Sequence, residues 1–173
     1  MAGYSLARVN WCVGSASNLQ QRPSNLIIQY MPRPVTALIV DDEAHVRVYL
    51  RVLLKKLGVE TVWDAAEGYA ALKLAAAHKP DVVLLDISLP QVGGLEVLAR
   101  LKAAHPKMPV IVVSVVNKPE TLVQAHDLGA DAYVLKHYST AKIFRMLSDA
   151  FDNIAEGFAN GTVAANEQPA APV

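Results

Sequence analysis

The chain has 173 residues, of which 53% are hydrophobic and 18% charged, and this balance excludes a wholly disordered protein. Sixteen lysines and arginines offset sixteen aspartates and glutamates, so the formal charge is zero, which is unfavourable for binding nucleic acid. The single cysteine, Cys12, permits no disulfide within the chain, and the longest apolar runs have the length of strands rather than of membrane spans. We therefore expect a cytoplasmic protein whose partners are neither nucleic acid nor membrane.

The uneven distribution of acidic residues indicates the limits of the folded unit. Residues 1–33 contain no Asp or Glu and many loop-forming residues, so we expect a disordered N-terminal extension. A transit peptide, or a natural start at Met31, would account for the same composition. Residues 159–173 are small and polar with two prolines, and they are expected to form a flexible tail. The predicted domain is therefore 34–158.

Within this domain, short apolar runs alternate with helical periodicities. The strongest runs are rich in β-branched residues and hydrophobic throughout, which is typical of parallel strands that are buried on both faces. The predicted strands are 35–40, 61–63, 82–85, 110–113 and 133–135. Apolar residues recur every three or four positions at 46–57, 70–77, 95–101, 122–128 and 143–158, which predicts helices there. Five β–α repeats predict an α/β fold with a doubly wound, five-stranded parallel sheet.

Polar residues follow four of the predicted strands at the points where these strands end. Asp41 and Asp42 follow the first strand, Asp86 follows the third, and Ser114 and Lys136 follow the fourth and fifth. The carboxyl ends of such strands meet at one edge of the sheet, where ligands bind. Three carboxylates gathered there would raise each other's pKa values unless a cation balanced them. A hard divalent ion with oxygen ligands, Mg²⁺, helped by Lys136, would do so.

Each of these features alone has an ordinary structural explanation. Acidic residues after a strand often begin a helix, and a lysine after a strand usually faces solvent. An aspartate between Leu85 and Ile87 is harder to explain, because an unpaired charge at the end of a buried strand is costly. The joint arrangement on four strand ends favours a functional site.

The order and spacing of these residues resemble those of response-regulator receiver domains, the phosphoacceptor modules of two-component signalling. That family has an acidic pair after the first strand, a phosphorylatable Asp after the third, Ser or Thr after the fourth and Lys after the fifth. The matching residues here are Asp41 with Asp42, Asp86, Ser114 and Lys136. The resemblance covers 34–158 and implies the flavodoxin-like (βα)5 receiver fold.

The resemblance also implies a role for each matching residue. Asp86 would accept a phosphoryl group from the phosphohistidine of a sensor histidine kinase or a His phosphotransfer protein. Asp42, Asp86 and the backbone carbonyl of Ser88 would bind Mg²⁺ directly, and Asp41 would act mainly through water. Lys136 would pair with Asp86 and then with the phosphoryl oxygens.

Two further residues would transmit the phosphorylated state. Ser114 would bond a phosphoryl oxygen and move the loop after the fourth strand, and Tyr133, at the family's aromatic switch position, would then turn inward. An ordinary aromatic residue of an edge strand is the alternative interpretation of Tyr133. We expect the protein to assist its own phosphorylation and dephosphorylation and not to be an enzyme on a separate substrate.

The chain departs from the family pattern at two positions. His137 follows Lys136 where the family usually has a proline after a cis bond, and a cis bond to a non-proline residue costs about 2.5–4 kcal/mol. A trans bond is therefore favoured, and the placement of Lys136 is in question. Val115 stands where the family favours Ala or Gly, and this larger residue is expected to narrow access to the phosphoryl site.

The last predicted helix carries an apolar stripe whose spacing resembles a coiled-coil seam. The stripe consists of Ile143, Leu147, Phe151, Ile154 and Phe158. A stripe that faces the core explains its first half equally well. We expect part of the stripe to remain exposed and to support a homodimer or the binding of another protein.

These residues suggest three possible functions. The main hypothesis is a single-domain response regulator that signals by phosphorylation-dependent docking to an output protein or relays phosphate. The alternative is a phosphorylation-independent pseudo-receiver that acts as a scaffold, and His137 and Val115 are its motivation. A phosphatase of the haloacid-dehalogenase type would need a second aspartate two residues beyond Asp86, where Ser88 stands.

Overall fold

A computed structural model describes residues 34–159, with side chains as far as Glu156. The strands in this range are β1 (Thr36–Val40), β2 (Thr61–Ala65), β3 (Val82–Leu85), β4 (Val110–Ser114) and β5 (Ala132–Leu135). The helices are α1 (Ala44–Lys56), α2 (Gly68–His78), α3 (Gly94–Ala104), α4 (Pro119–Asp127) and α5 (Thr140–Ala159). The predicted extension at 1–33 and residues 160–173 of the predicted tail lie outside the described residues.

The five strands form one parallel sheet in the order β2-β1-β3-β4-β5, which confirms the predicted doubly wound α/β fold. The chain runs outward from β1 to β2 and then returns to β3 on the other side of β1. The order therefore reverses between β1 and β3, and the crevice for a ligand lies beyond the carboxyl ends of these two strands.

Two hydrophobic clusters cover the two faces of the sheet. Successive strand residues point to opposite faces, so Leu38 of β1 packs in one cluster and Ile39 in the other. The first cluster includes buried residues of α2, α3 and α4, and the second includes buried residues of α1 and α5. Burial on both faces is the reason why β3 is hydrophobic throughout and why Thr36 of β1 and Ser114 of β4 are the only polar residues of those two strands.

The apolar stripe of α5 is buried as far as its side chains are described. Ile143, Leu147, Phe151 and Ile154 are 3%, 0%, 0% and 7% exposed. These four residues are therefore not the exposed part that was predicted, because they pack in the hydrophobic cluster that covers this face of the sheet. Phe158 lies outside the residues whose side chains are described. The expected homodimer through this helix stays a prediction.

No helix within 34–159 combines the length and the hydrophobicity that crossing a bilayer requires.

Candidate functional site

The carboxyl edge of the sheet brings the predicted polar residues together. Asp41 and Asp42 directly follow β1, Asp86 follows β3, Ser114 ends β4, and Lys136 follows β5. Each of the three aspartates has a carboxylate oxygen within 4.8 Å of the others, as their positions beyond neighbouring strands predict. The acidic cluster, defined as Asp41, Asp42 and Asp86, thus lies at the point where the strand order reverses.

Lys136 is the cation of this site. Its Nζ lies 2.6 Å from Asp41 Oδ2 and 2.7 Å from Asp86 Oδ2, and it donates a hydrogen bond to Asp86. The described residues contain no cis peptide bond, so the bond between Lys136 and His137 is trans. The Lys136 N–H donates to the carbonyl of Ser114 at 2.9 Å, which ties the end of β5 to β4. A trans bond at His137 is therefore compatible with a lysine that reaches the acidic cluster.

Burial and neighbouring charges have opposite effects on the pKa values of Asp41 and Lys136. Burial raises the pKa of Asp41, and this effect outweighs the opposing contacts with Lys136 and with the Glu43 N–H. Burial acts to lower the pKa of Lys136, but the bonds and charges of Asp41 and Asp86 outweigh it, so the pKa of Lys136 is raised. Lys136 is therefore a stable positive charge at neutral pH.

Asp41 is held by a backbone N–H and by an ion pair. Its Oδ1 accepts a hydrogen bond from the Glu43 N–H at 3.0 Å. Its Oδ2 is buried and lies 2.6 Å from Lys136 Nζ, which also donates to Asp86. One lysine thus serves two buried carboxylates, and buried charge that is only partly balanced is costly unless a further cation compensates it. Together with the oxygens of Asp42 and Asp86, this donor set fits Mg²⁺.

Asp42 and Asp86 differ in their exposure to solvent. Asp86 is 3% exposed, and its Oδ1 accepts a hydrogen bond from the Ser88 N–H at 3.2 Å. Asp42 is exposed, and no group among the described residues hydrogen-bonds to its carboxylate. Its oxygens are therefore available to a ligand. The expected role of the Ser88 carbonyl stays a prediction.

Gly94, at the start of α3, lets the helix approach the loop that carries Asp86. A Cβ atom at Gly94 would lie 2.0 Å from the Asp86 carbonyl oxygen and 2.6 Å from Ile87 Cα, so no other residue fits without a shift of the backbone. The Gly94 N–H donates to the Ile87 carbonyl at 2.9 Å. The sequence analysis assigned no role to Gly94, although a Gly-Gly pair before a helix is a sign of such a close approach.

Arg47 of α1 is a second residue whose place at the site was not predicted. Its Nη1 donates hydrogen bonds to the carbonyl oxygens of Asp41 and Asp42, at 2.7 and 3.0 Å. Its Nε donates to Asp64 Oδ2 at 3.2 Å. A basic residue on the polar side of a helix is ordinarily solvated, so the sequence pattern gave no reason to place Arg47 here.

The residues expected to transmit phosphorylation converge on the peptide groups of Val116. Ser114 is fully buried, and its Oγ accepts a hydrogen bond from the Val116 N–H at 3.3 Å. The Tyr133 hydroxyl donates to the Val116 carbonyl at 2.8 Å. Tyr133 is 7% exposed, and burial raises its pKa. Its ring thus already lies inward here, and its movement on phosphorylation stays a prediction.

Val115 points away from the protein interior. Its side chain is 56% exposed, in contrast to the buried Ser114 before it. The expected narrowing of access to the phosphoryl site stays a prediction, to be tested by the rate of phosphoryl exchange.

The known sequences similar to this chain differ in how much of their length it covers. The model of the response regulator receiver domain family matches residues 37–148. Chemotaxis protein CheY of Listeria monocytogenes is 34% identical over 113 residues, which cover 65% of this chain and 95% of CheY. Transcriptional regulatory protein PdtaR of Mycobacterium tuberculosis is 31% identical over 123 residues, which cover 71% of this chain but only 60% of PdtaR. The chain thus spans less than two thirds of that transcriptional regulator.

Solved structures agree with these sequence matches. The crystal structure of a CheY-like receiver domain protein from Methanospirillum hungatei has a TM-score of 0.65 at 27% identity, covering 71% of this chain and 98% of the other. A chain of the CheX–CheY complex with BeF3 and Mg²⁺ from Borrelia burgdorferi has a TM-score of 0.65 at 26% identity, covering 69% and 90%. With the family model matching well over half of its residues, this chain belongs to the response regulator receiver domains.

Proposed function

We propose that this receiver domain takes a phosphoryl group onto Asp86 from the phosphohistidine of a sensor histidine kinase or a His phosphotransfer protein in the cytoplasm. The reaction depends on Mg²⁺, and the phosphorylated surface then docks an output protein. The observation that supports the proposal best is the contact of 2.7 Å between Lys136 Nζ and Asp86 Oδ2, next to two further carboxylates. No separate substrate is part of this proposal.

The chemistry is a displacement at phosphorus. A carboxylate oxygen of Asp86 forms a bond to phosphorus while the phosphorus–nitrogen bond of the phosphohistidine breaks, and the bonding electron pair leaves with the imidazole. The transition state spreads negative charge over the phosphoryl oxygens, so positioning and positive charge supply most of the catalysis. Lys136 provides one such charge, because its raised pKa keeps it protonated. Its contacts with Asp41 and Asp86 hold that charge in place.

The acidic cluster would hold the cation. Asp42 and Asp86, with the Ser88 carbonyl, would ligate Mg²⁺ directly, and Asp41 would contact it through water. The bound ion would supply further positive charge to the phosphoryl oxygens. The exposed carboxylate of Asp42, which receives no hydrogen bond from the described residues, supports this assignment. So does the sharing of one lysine between Asp41 and Asp86, because the acidic cluster then carries more negative charge than Lys136 balances.

Ser114 and Tyr133 would turn phosphorylation into a change of surface. The Ser114 Oγ now accepts from Val116, and its hydroxyl would donate to a phosphoryl oxygen on Asp86. A shift of the Ser114 side chain would break or displace its hydrogen bond with the Val116 N–H. Tyr133 binds the carbonyl of the same residue, so both side chains act on the backbone at Val116. The loop between β4 and α4 is therefore the element that we expect phosphorylation to move.

Transfer of labelled phosphate tests the proposal. The protein is incubated with Mg²⁺ and labelled acetyl phosphate, or with a sensor histidine kinase that carries labelled phosphate on its histidine. We expect label on the wild type and on Asp127→Asn, a control at an exposed aspartate of α4, and none on Asp86→Asn. Chelation of Mg²⁺ should abolish labelling. Label on Asp86→Asn at the wild-type rate would contradict the site.

A pseudo-receiver that acts as a scaffold is the second candidate, and His137 is the observation behind it. If the trans bond before His137 weakened the phosphorylated state, the wild type would take up no label from any donor while still binding its partner. The contact of Lys136 with Asp86 favours the first proposal, in which Asp86 is phosphorylated. Binding that is identical in wild type and Asp86→Asn would favour the scaffold.

A further inference from the structure

We infer that Arg47 is a positioning residue for the cation site, because it holds the two peptide groups on either side of Asp42 and so aims the Asp42 carboxylate at the acidic cluster. The inference rests on the proposed function, since it says how a proposed Mg²⁺ ligand is held. It assigns Arg47 no contact with the ion or with the phosphoryl group.

The geometry singles out the Asp42 backbone. The carbonyl of Asp41 belongs to the peptide group before Asp42, and the carbonyl of Asp42 belongs to the peptide group after it. Arg47 Nη1 donates to both carbonyls, at 2.7 and 3.0 Å. One nitrogen thereby fixes both peptide planes, and with them the φ and ψ angles of Asp42.

Asp42 depends on this restraint more than its neighbours do. The carboxylate of Asp41 is held by the Glu43 N–H, and that of Asp86 by Lys136 and the Ser88 N–H. The Asp42 carboxylate is exposed and receives no hydrogen bond from the described residues, so only its backbone and its rotamer set its direction. A change in the two peptide planes would therefore move the Asp42 oxygens out of the cluster.

Arg47 is itself held by its helix, by burial of its side chain and by a hydrogen bond to Asp64. Its backbone N–H donates to the Glu43 carbonyl at 3.1 Å, and its side chain is only 17% exposed. Its Nε bonds Asp64 of β2, whose other carboxylate oxygen pairs with Arg51. Arg51 in turn donates to the Val62 carbonyl at 2.6 Å. The acidic loop is thus braced against the edge strand β2 through a chain of charged hydrogen bonds.

The three side-chain hydrogen bonds of Arg47 require a guanidinium group. Nη1 and Nε donate in different directions within one plane, which lets Arg47 hold two carbonyls and a carboxylate at once. A lysine at this position has a single nitrogen without the planar fork. Within the acidic cluster, the guanidinium contacts the backbone carbonyls of Asp41 and Asp42 and no carboxylate, so we expect it to set the direction of Asp42.

Mg²⁺ titration of the full chain tests the inference, with amide NMR shifts of the acidic loop as the readout. Arg47→Met keeps the apolar stem and removes every donor, and it should weaken Mg²⁺ binding by roughly 10–100-fold. Arg47→Lys should lose roughly 3–10-fold, because its single nitrogen restores only part of the hydrogen bonding. Arg100→Ala is the matched control, since Arg100 pairs with Glu96 on the exposed side of α3, and its affinity should be unchanged.

The outcomes separate this inference from the proposed function. A wild type that binds no Mg²⁺ contradicts the proposed function itself. A wild type that binds Mg²⁺ while Arg47→Met binds it equally well overturns the role of Arg47 alone. If Arg47→Met does not fold, Arg47→Lys decides, and wild-type affinity in that variant overturns the inference.

A double-mutant cycle tests the route through Asp42. In an Asp42→Asn background, removal of the Arg47 donors should change Mg²⁺ affinity less than about threefold, because the carboxylate that they aim is already gone. Equal losses in both backgrounds would show that Arg47 acts on the stability of the fold and not through Asp42. Thermal unfolding midpoints of all variants separate a general loss of stability from the loss of affinity.

Discussion

The two ends of the sheet use aspartate in opposite ways. At the amino ends of the strands, Asp81 lies just before β3 and Asp131 just before β5. Asp81 Oδ2 accepts hydrogen bonds from the N–H groups of Val35 and Thr36, at 3.0 and 2.8 Å, and from the Thr36 hydroxyl. Asp131 Oδ2 accepts from the Val110 N–H at 2.8 Å and from a lysine of α3. Both carboxylates tie neighbouring strands together.

At the carboxyl ends, the three acids of the cluster share one lysine and two loop N–H groups. Asp41, Asp42 and Asp86 crowd within 4.8 Å, with Lys136 as the cation between two of them. The exposed carboxylate of Asp42 has no hydrogen-bond partner among the described residues. These acids are arranged for a ligand rather than for the stability of the sheet.

The polarity of the backbone explains this difference. A parallel strand begins with free N–H groups and ends with free carbonyls, so a carboxylate finds donors at the amino end and competing acceptors at the carboxyl end. Acids at the carboxyl end therefore need cations or loop N–H groups. The comparison teaches that function lies where the fold gathers more acidic groups than its own cations balance.

The two ends of the sheet should differ most in how their acids affect the stabilisation of the protein by Mg²⁺. Because the ion would bind the folded state alone, it should stabilise the wild type by about 2.7 kcal/mol when its free concentration is about 100 times the dissociation constant. Asp42→Asn should show almost none of this gain, and Asp81→Ala all of it. Urea unfolding with Mg²⁺ and with EDTA measures the difference. An equal gain in Asp42→Asn would remove Asp42 from the site.

The next effect concerns the amino end. Asp81→Ala should lower the free energy of unfolding by about 1–3 kcal/mol, because two backbone N–H groups and a hydroxyl lose a charged acceptor. Phosphorylation and Mg²⁺ affinity should be unchanged. Unfolding in urea with EDTA gives the loss. If Asp81→Ala loses Mg²⁺ affinity as well, the two ends are coupled and the division of roles is wrong.

The sequence predicts the elements and the acidic cluster because both depend on local pattern. Apolar runs locate the strands, and the residue after each run must lie at the carboxyl edge, which is why the acidic cluster is predictable. The predicted second strand ended at 63, whereas β2 continues to Ala65, because the exposed Asp64 on this edge strand interrupts the hydrophobic pattern.

The remaining features depend on contacts between elements that are distant along the chain. Arg47 reaches the acidic loop and β2 only because α1 packs beside both, and nothing in its neighbours marks that contact. The stripe of α5 from Ile143 to Ile154 is buried in a cluster with residues of the strands and of α1, which periodicity within α5 alone cannot show.

A smaller effect at the amino end comes from Lys102. Its Nζ donates to Asp131 Oδ2 and to the Met108 carbonyl, at 2.7 and 2.8 Å, while its side chain is 14% exposed. Lys102→Met should cost about 1 kcal/mol, because Asp131 keeps its bond from the Val110 N–H. Thermal or urea unfolding checks the value. A loss as large as that of Asp81→Ala would indicate that the lysine, and not the backbone donor, holds Asp131.

The smallest effect is the pH dependence that Asp41 imposes in the absence of Mg²⁺. Burial raises the pKa of Asp41 above its ordinary value of 3.8. Between that value and the raised pKa, the folded state binds more protons than the unfolded state, so stability falls as pH rises through this window. Asp41→Asn should therefore be more stable than the wild type at neutral pH in EDTA, and the difference should disappear below pH 3.8. Urea unfolding of both proteins across this range, with Asp127→Asn as the control, provides the measurement. A difference that stays constant across the range would mean that the ionisation of Asp41 is not its source.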